Sequence, residues 1–393
     1  MPVNFQQIQQ RVKEIGQKAP GDLKELLERR ALAARLLREH ASDLEELDAL
    51  RLRATVLNPG LRCAKPFCEP LTFCRPLPAL DTQIVLLAAD GSQINPDRHA
   101  PIQFGVINTG AIRILPGRGQ AAQETIKSEL LYGDDLETAN GPVTEEVVAM
   151  RRDKSERTML AELAAGESLP VVTLTDGQLE LFHGPAQAQS GEFDKLFGEY
   201  LEAMRALARI GAVTAGFVDK PRSDLLVRLL ELYLLKAEEF DQAGHLRPLR
   251  GVSDAVLFND LLAPGERSAV FGIQSKSAEL FKDELALHYF YLNVGRTGHP
   301  WLARVELPGW VAESDVLLDR LQAALVEQCR QLGSKPYPYA LHRAHEVAVV
   351  RFEEKDQLEN MLILELRRQG GEVGEKSNKQ VAKDVSGSRT RYA

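Results

Sequence analysis

Ile84-Val85-Leu86-Leu87-Ala88-Ala89-Asp90-Gly91-Ser92-Gln93 is the stretch that decides the fold. Its first six residues are apolar without interruption. A strand with one wet face would alternate with polar residues, so this run reads as a strand buried on both faces of an α/β sheet. The apolar run stops at a carboxylate followed by glycine. Gly91 relieves crowding just past the strand end, where a metal or a phosphate can approach the backbone closely. Asp90 thereby falls at the carboxyl end of a strand, where open α/β sheets place ligands.

The same pattern recurs downstream. Pro170-Val171-Val172-Thr173-Leu174-Thr175 runs into Asp176-Gly177, and Ala215-Gly216-Phe217-Val218 runs into Asp219-Lys220. Three such strands would gather carboxylates at one edge of one sheet. A plainer reading competes, because Asp-Gly is a common turn dipeptide that marks only the end of a strand.

The chain's 393 residues suffice for one large domain or for two to three small ones. A net charge of −8 excludes a surface coated with basic residues, so any nucleic-acid contact is expected in a local basic groove. The amino terminus, Met1 to Gln7, is too polar for a signal peptide, and no apolar stretch is long enough to span a bilayer. The expectation is a cytoplasmic protein with no membrane segment. Cys63, Cys68 and Cys74 are spaced unlike common zinc or iron–sulfur ligands, and with Cys329 they read as reduced thiols.

Outward from the first strand, residues 4–54 read as two helices parted near Ala19-Pro20-Gly21. Leu23, Leu27, Ala34, Leu37, Ala41, Leu44 and Leu47 form an amphipathic stripe suited to packing, to pairing with a second copy, or to docking a partner. After Asp90, Ile102–Ile107 and Ala111–Leu115 read as a hairpin turning at Asn108-Thr109-Gly110. A helix is expected over 143–165. On it Glu156 shares a side with Met159, Leu160 and Leu163, a position calling for a metal or a partner unless Arg152 pairs with it at the surface. Further helices are expected over 193–209, 224–240, 315–332 and 355–369, with a short apolar piece at 347–352 and a flexible polar tail from 370. No phosphate loop, dinucleotide fingerprint, zinc finger or nucleophile elbow is present, so an ATP-driven step would require another protein.

Asp90, Asp176 and Glu156 are hard oxygen donors of the kind Mg²⁺ and Mn²⁺ take, and two such ions can clamp an in-line phosphoryl displacement. His345 would complete the set as a ligand or a proton carrier, against the plainer reading of a structural helix histidine. The order strand-Asp, hairpin, helix-Glu, strand-Asp resembles the ribonuclease H-like fold, in which those carboxylates hold metals.

The resemblance becomes specific to the NurA nuclease family. It is carried by Asp90-Gly91-Ser92, Thr175-Asp176-Gly177, Asp219-Lys220-Pro221-Arg222-Ser223, Pro264-Gly265-Glu266-Arg267-Ser268, Ala303-Arg304-Val305-Glu306-Leu307-Pro308, Tyr337-Pro338-Tyr339-Ala340-Leu341 and Ala344-His345-Glu346, in that order. What the resemblance implies is a mixed-sheet ribonuclease H-like core flanked by helices and a manganese-dependent (or magnesium-dependent) DNA nuclease, with two ions. It also implies a homodimer and a partner in the hexameric HerA-type ATPase of DNA end resection. It assigns metal-binding or catalytic roles to Asp90, Glu156, Asp176 and His345, with Glu162 as the alternative helix carboxylate. The organisation expected is an amphipathic helical segment over 1–55, the nuclease domain over 56–369 and the tail over 370–393. A non-cutting scaffold that binds DNA ends or a motor is the second reading, and a nuclease acting on RNA the third. Lys220 and Arg222, following a strand end, are the expected DNA contacts, with Arg267 and Arg304 as weaker choices that plain salt bridges would also explain.

Overall fold

The computed structural model describes residues 4–139, 141–181, 191–371 and 373–374; the tail expected to be flexible lies almost entirely outside the described residues. In chain order the elements used below begin with helices α1 (Phe5–Glu39) and α2 (Leu44–Leu57) and strand β1 (Cys63–Lys65). Strands β2 (Val85–Ile94), β3 (Gly105–Ile114) and β4 (Gln123–Leu131) follow, then α3 (Glu145–Ala165), β5 (Val171–Asp176), α4 (Gly191–Arg209) and β6 (Val213–Val218). Next come α5 (Leu225–Glu231), β7 (Phe271–Gln274), β8 (Leu287–Asn293), β9 (Leu302–Pro308), α6 (Asp315–Gln331), α7 (Tyr339–Ala348) and α8 (Phe352–Arg368).

The chain divides into two units, one formed by 1–81, 177–181 and 215–337, the other by 82–176, 182–214 and 338–393. The second holds Ile84–Gln93. Its strands run β5-β2-β3-β4, with β5 parallel to β2 and the other pairs antiparallel. This is the mixed, helix-flanked sheet of a ribonuclease H-like core. Val85 to Ala89 are fully buried, as an uninterrupted apolar run demands. Thr144 caps α3 by accepting the Val147 N–H, so that helix starts where its Thr-Glu signal placed it.

Several boundaries differ from the sequence reading. β2 does not end at Asp90. It continues to Ile94, paired with β3 from Leu86–Ile114 to Ile94–Val106. Asn108-Thr109-Gly110 is no turn but the middle of β3, and β4, unforeseen because its residues are mostly polar, is the strand that pairs beyond it. In the other unit, α1 runs straight through Pro20, and the break falls at 40–43. The helix expected over 224–240 stops at Glu231 and gives way to 3₁₀ turns. The apolar piece at 347–352 is instead the end of α7 and the start of α8. No described helix is long and apolar enough to cross a membrane.

The first unit carries β1-β7-β8-β9 and the end of β6, all antiparallel in the registered pairs. Beside this sheet Asp254 is fully buried, accepting the N–H groups of Leu226 (3.0 Å) and Val227 (2.9 Å) at the start of α5 and the Tyr291 hydroxyl (3.0 Å). Burial outweighs those bonds and pushes the carboxyl from 3.8 up to about 7. The folded protein then keeps a proton that the unfolded chain releases, so stability falls as pH rises from about 4 and levels off above about 7. Melting curves of the wild type and Asp254→Asn should diverge across that window, the wild type losing ground as pH rises. Parallel curves would refute the assignment.

Candidate active site

Strand alternation decides which side chains meet. On β2, Asp90 and Ser92 share one face while Gly91 opens onto the other. α7 covers the Asp90 face. The Ser92 hydroxyl donates to the Ala348 carbonyl (2.5 Å) and accepts the Val350 N–H (3.0 Å), and the Asn108 amide donates to the same carbonyl (2.7 Å). Gly110 leaves the room this docking needs. A Cβ there would stand 2.7 Å from Val347 Cγ2 and 2.8 Å from the Ala348 nitrogen. The three residues read as a turn are therefore docking residues: Asn108 and Gly110 seat α7, and the Thr109 hydroxyl bonds Ser155 of α3 on the opposite face (2.8 Å).

This docking delivers His345 to Asp90. Nδ1 of the ring lies 2.7 Å from Asp90 Oδ2, while Oδ1 accepts the Gly91 N–H at 2.8 Å. The Asp90 side chain is 18% exposed and that of His345 64%. One edge of the imidazole is thus tied down and the ring stays open to solvent. Asp176, exposed, ends β5 one residue beyond the Ala89–Thr175 pair, which places it level with Asp90 and on the same face. Parallel pairing stops there while β2 runs on to Ile94.

Glu156 enters from the α3 side. It is buried, and its Oε1 would be 2.8 Å from a Cβ on Gly91, with Arg152 Cγ 2.5 Å from the same point. Gly91 is required here by this close approach, not by a turn. Burial holds the Glu156 carboxyl well above the usual range, and the charges of Asp153 and Asp90 add to this. Arg152 lies across the gap with Nε 3.6 Å from Glu156 Oε1. Behind them Arg157, buried, donates to the Thr175 hydroxyl next to Asp176. Glu162 is largely exposed and faces Lys127 at 4.0 Å. The sequence reading weighs a pairing of Arg152 with Glu156 four residues on, but with Glu156 at the surface, whereas it is buried. It does not foresee the Arg157 contact, although Arg157 adjoins Glu156.

Asp90, Asp176 and His345 therefore gather on one face, and Glu156 reaches the same strand through the gap at Gly91. Among the described residues, no three His, Cys, Asp or Glu side chains form a ready-made metal cage. The donor chemistry nevertheless fits a hard divalent cation: oxygen donors with one imidazole, and a buried carboxyl destabilised by neighbouring negative charge.

Residues 84–350 match the family model described as the NurA domain. The chain belongs to the NurA family. The crystal structure of the NurA nuclease from Sulfolobus solfataricus superposes with a TM-score of 0.53 at 11% identity, covering 94% of this chain and 98% of that one. That likeness establishes a shared NurA fold. The catalytic domain of human endonuclease V gives a weaker likeness, with TM-score 0.34, 14% identity, and coverage of 81% of this chain and 98% of that one. A comparison with curated protein sequences returns no match.

The residues expected to touch DNA lie in the other unit, and their surroundings separate them. Arg267 is buried in a two-point ion pair with Glu69, and Arg304 is buried against Glu306. Neither is offered to a ligand. Lys220 is exposed in a left-handed conformation (φ 46°), its ammonium 4.5 Å from the centre of the Trp301 ring. Arg222 is exposed.

Proposed function

We propose that this NurA-family protein is a metal-dependent DNA nuclease, and the observation that carries the proposal is the Asp90–His345 hydrogen bond set beside a buried Glu156. Asp90, Asp176 and Glu156 would hold one or two Mn²⁺ or Mg²⁺ ions, with His345 as a further ligand or a proton carrier. When bound, such ions neutralise phosphate charge and activate water. Asp90 orients the imidazole through Nδ1, leaving Nε2 to take or deliver a proton at the exposed edge. Gly91 keeps the strand open to Glu156. Incubating end-labelled DNA with the protein in Mn²⁺ and in EDTA tests the reading: cleavage in the first and none in the second is the expected result. Intact DNA in both would favour the non-cutting scaffold.

The wider role proposed is DNA end resection, as a cytoplasmic homodimer working with a HerA-type hexameric ATPase. The support is family membership together with the amino-terminal helix. The first part of α1 leaves Phe5, Ile8, Val12, Ile15, Leu23 and Leu27 exposed, whereas Ala33, Leu36 and Leu37 are buried. The leucine stripe is thus used for packing only in its later half. Deleting residues 1–50 should change the mass in light scattering or abolish binding to the ATPase; unchanged mass and affinity would remove the helix from assembly.

An acidic chain needs a local cationic surface to hold DNA. Lys220 and Arg222 are the proposed contacts. In an Asp90→Asn background, alanine at both should weaken binding alike for all sequences and flatten the log–log salt dependence by about two units at most. An unchanged slope would place the DNA path elsewhere.

A further inference from the structure

Arg152 is the residue at this site that neither the family assignment nor the mechanism above uses. Its stem fills the gap at Gly91, with Cγ and Cδ 2.5 and 3.0 Å from where a Cβ would stand. Its Nε is 3.6 Å from Glu156 Oε1, and Nη2 donates to Asp153 Oδ1 at 2.7 Å. The side chain is 32% exposed, at the rim between the buried carboxylate and solvent. Asp153, Glu156 and Asp90 all act on this one guanidinium as negative neighbours. The other nearby arginine, Arg157, also acts on Glu156, but it is buried and donates to the Thr175 hydroxyl. Arg152 is thus the positive charge at the solvent rim where carboxylates of the proposed metal site repel one another.

We infer that Arg152 is a built-in counter-ion, which neutralises Glu156 and its neighbours in the resting protein and must be displaced before a divalent cation can bind. It is a positioning residue that sets metal affinity. The inference rests on the metal-site reading above. Its consequence follows from charge alone. A cation entering beside a fixed guanidinium meets like charge and competes for the same oxygens, so removing the guanidinium should tighten metal binding. A residue that merely propped Glu156 in place would do the reverse, because its loss would loosen a ligand.

The test is Mn²⁺ binding without DNA, read by electron paramagnetic resonance of the free ion and by calorimetry. Arg152→Met keeps the stem that packs over Gly91 and removes the charge, and it should bind Mn²⁺ about tenfold more tightly. Arg152→Lys keeps the charge and should stay near the wild type. Arg152→Gln serves as a second neutral variant if the methionine protein melts early. Unchanged or weaker Mn²⁺ binding in a folded neutral variant overturns the inference, as does equal tightening in the lysine variant. Asp90→Asn is the control for the underlying reading. If it loses Mn²⁺ while Arg152→Met is unchanged, only the counter-ion role fails. If neither variant alters Mn²⁺ binding, the metal-site reading fails with it.

Discussion

Asp90→Asn should abolish DNA cleavage, by at least about 10²–10³-fold, while the protein stays folded. The substitution conserves volume and an oxygen that can still accept the Gly91 N–H, so the melting temperature should move little, consistent with a net cost near 1 kcal/mol for one altered hydrogen bond. What it removes is negative charge at the point where β5 stops pairing with β2, together with the acceptor that fixes the His345 tautomer. Turnover of end-labelled DNA at saturating Mn²⁺ measures the first effect and a thermal melt the second. A variant that cuts at the wild-type rate would show that Asp90 is a strand-end aspartate with no part in the chemistry. Loss of folding would leave its catalytic role to be judged from His345→Ala, whose side chain is 64% exposed and dispensable for packing.

The largest structural effect is expected from a single methyl group. Gly110→Ala places a Cβ 2.8 Å from the backbone nitrogen of Ala348 and 3.0 Å from the Val347 carbonyl carbon. Backbone atoms cannot rotate away as a flexible side chain does, so α7 must lift from β3. Overpacking of this kind costs about 1–3 kcal/mol. Because α7 carries His345, the shift also breaks the bond to Asp90, and activity should fall much further than stability alone explains. Denaturant midpoints read the first effect, and turnover measured well below that midpoint reads the second. Full activity with an unchanged midpoint would mean that α7 is not held as described.

Why some of this was legible in the sequence and some was not comes down to range. Val85 to Ala89 announced a doubly buried strand because its burial is written in consecutive residues. Thr144 and Glu145 announced the start of α3 for the same local reason. The boundaries that differed were set by distant partners. Asn108-Thr109-Gly110 has the composition of a turn, yet its amide, hydroxyl and missing side chain answer to Ala348, Ser155 and Val347. Asp90-Gly91 likewise has turn chemistry, but the strand goes on because Gly91 admits α3. β4 carried no apolar signal because it pairs only with β3 among the registered strands, and its side chains are mostly exposed. At the candidate site, Asp90 and Asp176 were legible as carboxylates after apolar strands and Glu156 as a carboxylate on the apolar side of its helix, and family resemblance added their roles and that of His345. Their separation onto two faces of one strand became visible only from register.

The bond between Asp90 and His345 joins positions 255 apart in the chain. At translation rates of about 5–20 residues per second, the ribosome takes roughly 10–50 s to pass from one to the other. Throughout that interval a nascent chain carries Asp90 without His345 to meet it. A ribosome that stalls, or a message that breaks, before α7 is made leaves a fragment without the proposed proton carrier, so under the proposed mechanism such a fragment would not cut.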